Sequence, residues 1–227
     1  GRFFPMNDAI KEKDLQTPEM IFAADIVYNN TRNKELLSIA VMHDKVMISK
    51  EGLQVAKDIS LGLTKELERK SLLIRDGKDG NLGGLAILRR QFDEKEICLV
   101  LKANSQGMGH GHFDRLAISI YENGNEILQD YGAARFHNIE EKQGGRYLPE
   151  NNTWAKQTVA HNTLVINQES DFNFNLKKAS ANNPQFVSSD LSSPDFQIVT
   201  MTDSNCYEGS ILTRTVALIS INHKPFI

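Results

Sequence analysis

Leu116-Ala117-Ile118-Ser119-Ile120-Tyr121-Glu122-Asn123-Gly124-Asn125-Glu126-Ile127-Leu128-Gln129-Asp130-Tyr131 is the stretch that decides the fold class. Apolar and polar residues alternate on both sides of an Asn-Gly pair, the strongest short-range signal for two antiparallel strands joined by a tight turn. Working back toward the N-terminus, Leu85-Ala86-Ile87-Leu88 and Ile97-Cys98-Leu99-Val100-Leu101 read as further strands, following the glycine-rich Gly80-Asn81-Leu82-Gly83-Gly84. Working forward, strands are expected at Thr163 to Asn167, Phe196 to Thr202 and Ile211 to Ser220. Phe136 to Gln157 and Ser170 to Pro194 are polar and rich in Asn, Ser, Gly and Pro, and they read as long loops, which inside a β-domain tend to carry function.

The first part of the chain has a different period. Thr17-Pro18-Glu19 supplies a capping hydroxyl, a proline for the first helical position and an acid for the first turn. Met20, Ile21, Ala24, Val27 and Tyr28 follow at helical spacing, predicting a helix to about Asn29, and Lys34 to His43 predicts a second one. Two helices cannot cover their own apolar faces, so they must pack on a missing segment or on the rest of the chain. Gly1 stands where an initiator Met would, and Val216 to Ile227 is still strand-like where the chain stops, which reads as a piece of a longer protein.

Composition narrows the functional classes. The chain has 227 residues with 26 Lys plus Arg against 29 Asp plus Glu, a formal net charge of −3, so it carries no global positive field for nucleic acid. No apolar run is long enough for a membrane helix, and residues 1 to 30 lack the basic-then-apolar order of a signal peptide. Cys98 and Cys206 are the only cysteines, too few and too far apart for a thiolate metal site or a disulfide framework.

The chemistry-bearing segment is Gly107-Met108-Gly109-His110-Gly111-His112-Phe113-Asp114, just before the hairpin. In an extended segment His110 and His112 point to one side and can share a site, with glycines removing the bulk around them. Asp130, at the end of the returning hairpin strand, can come back beside His112, and His161 at the start of the next expected strand offers a further ligand. His43, His137 and His223 stand outside this group. His110-Gly111-His112-Phe113-Asp114 resembles the HxHxD of metallo-β-lactamase hydrolases, but Arg115 replaces the His that continues that pattern; the Glu that follows the paired His of cupins is also absent.

SQGMGHGHFDRLAISIYENGNEILQDYGAARF (105 to 136) followed by GGRYLPENNTWAKQTVAHNTLVIN (144 to 167) resembles the C-terminal half of polysaccharide lyase family 17, the alginate and oligoalginate lyases of the heparinase II/III-like superfamily. The resemblance extends upstream through FFPMNDAIKEK, TPEMIFAADIVY and SLLIRDGKDGNLGGLAILR. It implies a mainly β fold, an antiparallel β-sandwich preceded by the helical end of an α/α-toroid. Residues 1 to 65 would then be toroid tail plus linker, and 66 to 227 the β-sandwich domain, truncated at its C-terminus.

The same resemblance implies that His112, Asp130 and His161 hold a structural zinc, that Tyr147 and His110 are catalytic, and that Arg135 binds substrate. The reaction implied is β-elimination on an anionic uronate oligosaccharide or polysaccharide, leaving a 4,5-unsaturated uronate, in a periplasmic or secreted protein. The family's Asn-His pair and second Tyr, on the toroid, have no match in this sequence, so the missing N-terminal toroid is an expected partner and the fragment alone is expected to be inactive. Two readings from other classes are a non-catalytic, metal-stabilised, carbohydrate-binding β-sandwich and an HxHxD metallohydrolase.

Overall fold

The computed structural model describes residues 4, 6–8, 17–106, 109–130 and 148–227. The chain divides into two compact units, Gly1–Phe4 with Lys11–Arg69 and Pro5–Ile10 with Lys70–Ile227. The division at Arg69 and Lys70 falls a few residues past the expected one, and a short early segment is grouped with the second unit.

In the first unit, helix α1 (Pro18–Thr31) begins as expected, with the Thr17 hydroxyl accepting from the Met20 amide at 3.3 Å. It ends where Arg32 adopts a left-handed φ of 56° and its amide returns to the Tyr28 carbonyl. A single 3₁₀ turn, Lys34–Leu36, leads into α2 (Leu37–His43). A third helix, α3 (Lys50–Ser60), capped by Ser49, was not anticipated from the sequence. It supplies part of the cover that α1 and α2 need: Val55 joins Tyr28, Leu37 and Ala40 in a small buried cluster, and the Tyr28 hydroxyl donates to Asp58 at 2.6 Å. Met20, Phe22, Val27, Val41, Met42 and Ile48 remain exposed. Among the described residues, no helix is long and apolar enough to cross a membrane.

The second unit is two antiparallel sheets. The first has five strands in sequence order, β1 (Leu72–Arg75), β2 (Gly83–Phe92), β3 (Lys95–Asn104), β4 (Ile118–Glu122) and β5 (Asn125–Leu128). The second has four, β6 (Gln185–Asp190), β7 (Phe196–Asp203), β8 (Leu212–Ile221) and β9 (Lys224–Phe226). Leu88, Leu99 and Leu101 of one sheet and Val199, Met201 and Leu218 of the other lie in one buried cluster, which makes the pair a sandwich. On β7 the alternation is clean: Val199 and Met201 go inward, while Thr200 and Thr202 meet Thr215 and Thr213 of β8 through their hydroxyls. Gly83 has to be glycine, because its φ is 84° and a Cβ would lie 1.9 Å from the Ala103 carbonyl oxygen of the paired strand.

Strand β3 is buried from Ile97 through Ala103, so both of its faces are covered. Leu99, Leu101 and Ala103 feed the core between the sheets, and Cys98, Val100 and Lys102 occupy the opposite face. That second face carries the site described below.

The structure departs from the sequence expectations in three places. Thr163 to Asn167 forms no strand; it makes one isolated bridge, Ile166 with Glu169, because Asn167 and Gln168 turn the backbone left-handed at φ 54° and 60°. The segment from Leu116 becomes strand only at Ile118, since Leu116 sits at φ 58° and the Ala117 amide bonds back to Asp114. The expected loop Ser170 to Pro194 contains a short helix, α4 (Leu176–Ala181), and the edge strand β6. Along β6 only Phe186 is buried, which is why alternation did not reveal it.

Candidate functional site

The glycine-rich turn before β4 positions the histidines. A Cβ on Gly111 would lie 1.4 Å from the Gln106 carbonyl oxygen, and the Gln106 amide donates to the Gly111 carbonyl at 2.6 Å, so only glycine fits between His110 and His112. The His112 ring is fully enclosed, whereas the His110 side chain is 69% exposed. Both reach one carboxylate, Asp8: His112 Nε2 lies 3.0 Å from Oδ1 and His110 Nδ1 lies 2.9 Å from Oδ2. The Lys156 ammonium donates to the Gly109 carbonyl at 2.6 Å and stands 4.0 Å from Asp8. Asp8 lies in the quoted FFPMNDAIKEK stretch, but its role was not legible, because its partners are more than a hundred positions away in sequence.

The hairpin leads into Asp130, expected beside His112, and the structure pairs it with His161. His161 follows the one-turn 3₁₀ segment Thr158–Ala160, and its Nδ1 lies 2.8 Å from Asp130 Oδ2 in a buried pair. Asp114, also buried, completes a trio with them: one ligand atom from each of Asp114, Asp130 and His161 lies within 4.8 Å of the others. His112 falls outside that trio, its ring centroid 5.2 Å from that of His161. Asp114 is the member that sequence reasoning did not name as a ligand. It is ion-paired with Lys102, which projects from the covered face of β3 and also donates to Asn7.

The electrostatics bear on what this pocket can hold. Asp114 pairs with Lys102, Asp8 stands near Lys156, and Asp130 pairs with His161. Burial pushes the His112 pKa down and keeps the ring neutral, outweighing the Asp8 hydrogen bond and the Asp114 charge. At His161 burial pulls the same way, but the Asp130 hydrogen bond and the charges of Asp114 and Asp130 raise the pKa overall. At Asp8 burial pulls the pKa upward, and the hydrogen bonds from His112 and His110 with the charge of Lys156 bring it below its ordinary value. His112 Nδ1 and His161 Nε2 are buried with no hydrogen-bond partner among the described residues, as nitrogens reserved for a cation would be. Among the described residues, Asp114, Asp130 and His161 place their ligand atoms close enough to share one cation, with carboxylate and imidazole donors of the kind zinc accepts. Tyr147 and Arg135, named from the sequence, lie outside the described residues.

A second buried cluster adjoins the first through Arg115. Its guanidinium donates to the carbonyls of Asn104 and Asn182 at 2.9 Å and to that of Ala179, approaches Asp203 at 3.8 Å, and lies over the Phe172 ring. Asp171 accepts from the Arg115 amide at 3.3 Å. Burial pushes its carboxyl up to about 7, and the charges of Asp114 and Asp203 add to that against Arg115. An acid that stays protonated when folded, while its unfolded form ionises near 3.8, stabilises the fold fully below that value; this contribution is lost as pH rises toward 7. Asp171→Asn should therefore raise the Tm at pH 8 and flatten the fall in stability between pH 4 and 7. Chemical denaturation of both proteins across that range checks this, and identical slopes would refute it.

Residues 74–227 match the family model described as Heparinase II/III-like, C-terminal. Over 221 residues the chain is 46% identical to the exo-oligoalginate lyase of Saccharophagus degradans, covering 97% of this chain and 30% of that protein. Over 221 residues it is 48% identical to an alginate lyase of Stenotrophomonas maltophilia, covering 96% and 29%. The chain thus spans about 30% of the length of these curated relatives. Among solved structures it is similar to heparinase III, with TM-score 0.63 and 16% identity over 96% of this chain and 27% of that one. It is likewise similar to the heparan sulfate lyase HepC of Pedobacter heparinus, with TM-score 0.61 and 13% identity over 95% and 27%. At such identities the two solved structures show the fold alone.

Proposed function

The chain belongs to the heparinase II/III-like C-terminal family, and we propose that it is the toroid tail and β-sandwich of an alginate or oligoalginate lyase, acting on uronate glycans in the periplasm or outside the cell. What carries this reading is the identity of 46 to 48%, sustained over nearly the whole chain, to two proteins named for that activity.

β-Elimination needs three things at the uronate: a partner that neutralises the carboxylate so that the C5 proton becomes acidic, a base that removes that proton, and an acid that protonates O4 as it leaves. Arg135, as a planar cation, suits the first task. Tyr147 suits proton transfer, being a phenol among Gly and Arg residues. His110, anchored on Asp8 through Nδ1, presents the opposite edge of its ring to the open side, where it can meet the glycan. The remaining groups of the cleft belong to the expected toroid, so the isolated chain supplies one wall and turns over little.

Zinc suits the buried trio Asp114, Asp130 and His161, with Asp114 balanced by Lys102, and His112, expected as a ligand, stands beside the trio. When bound, it supplies positive charge that braces the turn, the hairpin and the segment after Tyr147; elimination has no hydrolytic water to activate. Metal analysis of protein purified without chelator should find about one zinc per chain. His161→Ala should lose that zinc and melt lower, because binding free energy at a structural site is folding free energy. An unchanged Tm in that variant, with turnover abolished in the full-length protein, would make the metal catalytic instead. The activity itself is tested with the full-length protein on alginate oligosaccharides, in parallel with heparan sulfate, by the ultraviolet absorbance of the unsaturated uronate. No absorbance rise on the alginate oligosaccharides would overturn the reading.

A further inference from the structure

We propose that Asp8 is the positioning carboxylate of this site, taking one N–H from each histidine of the His110-Gly111-His112 pair and so aiming His112 Nδ1 inward at the metal and His110 Nε2 outward at the glycan. The proposal rests on the zinc reading above.

The argument begins with what a carboxylate can do. Ionised, it accepts hydrogen bonds and donates none, so the ring nitrogens facing it, His112 Nε2 at 3.0 Å and His110 Nδ1 at 2.9 Å, must carry the protons. A neutral imidazole has one N–H. With that proton on Nε2, the Nδ1 of His112 is left as a bare lone pair, and this buried atom has no hydrogen-bond partner among the described residues. His110 is held in the opposite sense, Nδ1 toward Asp8 and Nε2 toward the open side. Each oxygen of Asp8 serves one histidine, so a single side chain sets both tautomers.

The surroundings make Asp8 a fixed point. Its carboxyl is 9% exposed, and Lys156, tied to the Gly109 carbonyl at 2.6 Å, holds the glycine turn from the other side. The neighbouring Asn7 accepts from the His112 amide at 3.3 Å and from Lys102, the partner of Asp114. Position 111 between the two histidines admits only glycine, since a Cβ there would collide with the Gln106 carbonyl. Carboxylates that orient a metal-ligating histidine in this way typically change metal affinity by about ten- to a hundredfold when removed.

The experiment uses the full-length protein and reads two quantities. The first is the zinc dissociation constant by chelator competition. Asp8→Asn should weaken it about ten- to a hundredfold, and Asp8→Glu, which keeps the charge, should recover part of the loss. The second is the histidine tautomer, from long-range ¹⁵N–¹H spectra of the unmutated protein with and without zinc: His112 should carry its proton on Nε2 and His110 on Nδ1. This measurement needs no variant, so a poorly folding Asp8→Asn protein does not protect the idea. If the unmutated protein binds no zinc, the metal reading fails, while the metal-free spectra still report on Asp8. If zinc binds and Asp8→Asn holds it as tightly, or if His112 carries its proton on Nδ1, the role assigned to Asp8 is overturned.

Discussion

Exchanging Tyr147 for Phe in the full-length protein should lower kcat on alginate oligosaccharides by about a hundredfold or more and leave KM little changed. The exchange removes one oxygen and almost no volume, so it takes away the group proposed for proton transfer and little else. An interaction made only in the transition state lowers kcat and kcat/KM together, whereas uniform binding shows mainly in KM. A Phe variant near the parent rate would remove Tyr147 from the chemistry. A Phe variant with intact kcat and a raised KM would make it a binding residue.

The second large effect is on stability. Arg115→Met should cost the β-sandwich about 3 to 5 kcal/mol in urea unfolding, a large share of the total stability of an ordinary domain. The methionine fills the space, but the carbonyls of Asn104, Ala179 and Asn182 and the buried carboxylate of Asp203 all lose their donor or counter-charge together. Lysine should restore only part of the loss, since one ammonium cannot reach carbonyls arranged for a planar fork. Arg115→Met combined with Asp203→Asn should cost less than the two separate losses added, because the orphaned charge is then gone. A loss under about 1 kcal/mol for Arg115→Met would mean that water replaces the guanidinium and that the cluster does not hold these segments together.

Much of this arrangement was legible before any coordinates. The Asn123-Gly124 turn and the alternation around it announced β4 and β5, and the apolar run from Ile97 announced β3, because period and turn chemistry are local properties. A tight hairpin could be expected to return Asp130 toward its own start beside His112, whereas the structure pairs Asp130 with His161, which the sequence offered only as a further ligand. Other features left no local mark. Asp8 meets His110 and His112 across the whole helical unit and the first strands of the sandwich in sequence, and no spacing rule connects them. Arg115 first registered only as the residue that breaks a hydrolase pattern, and its burial against three carbonyls comes entirely from the tertiary fold. Thr163 to Asn167 misled for a physical reason: its apolar alternation is real, but the left-handed Asn167 and Gln168 turn the chain before a partner strand can pair.

Asn7 and Asp8 belong with the β unit although the whole helical unit from Lys11 to Arg69 lies between them and β1 in sequence. This ordering constrains how such a protein can be recombined. A crossover at the apparent boundary near Arg69 would join a new helical partner to the sandwich but discard the native residues that touch His110, His112 and Lys102. Descendants of such an exchange would keep both sheets and lose the clamp. The stretch around Asp8 therefore has to be inherited together with the sandwich, and successful chimeras in this family should have breakpoints that leave both segments from one parent.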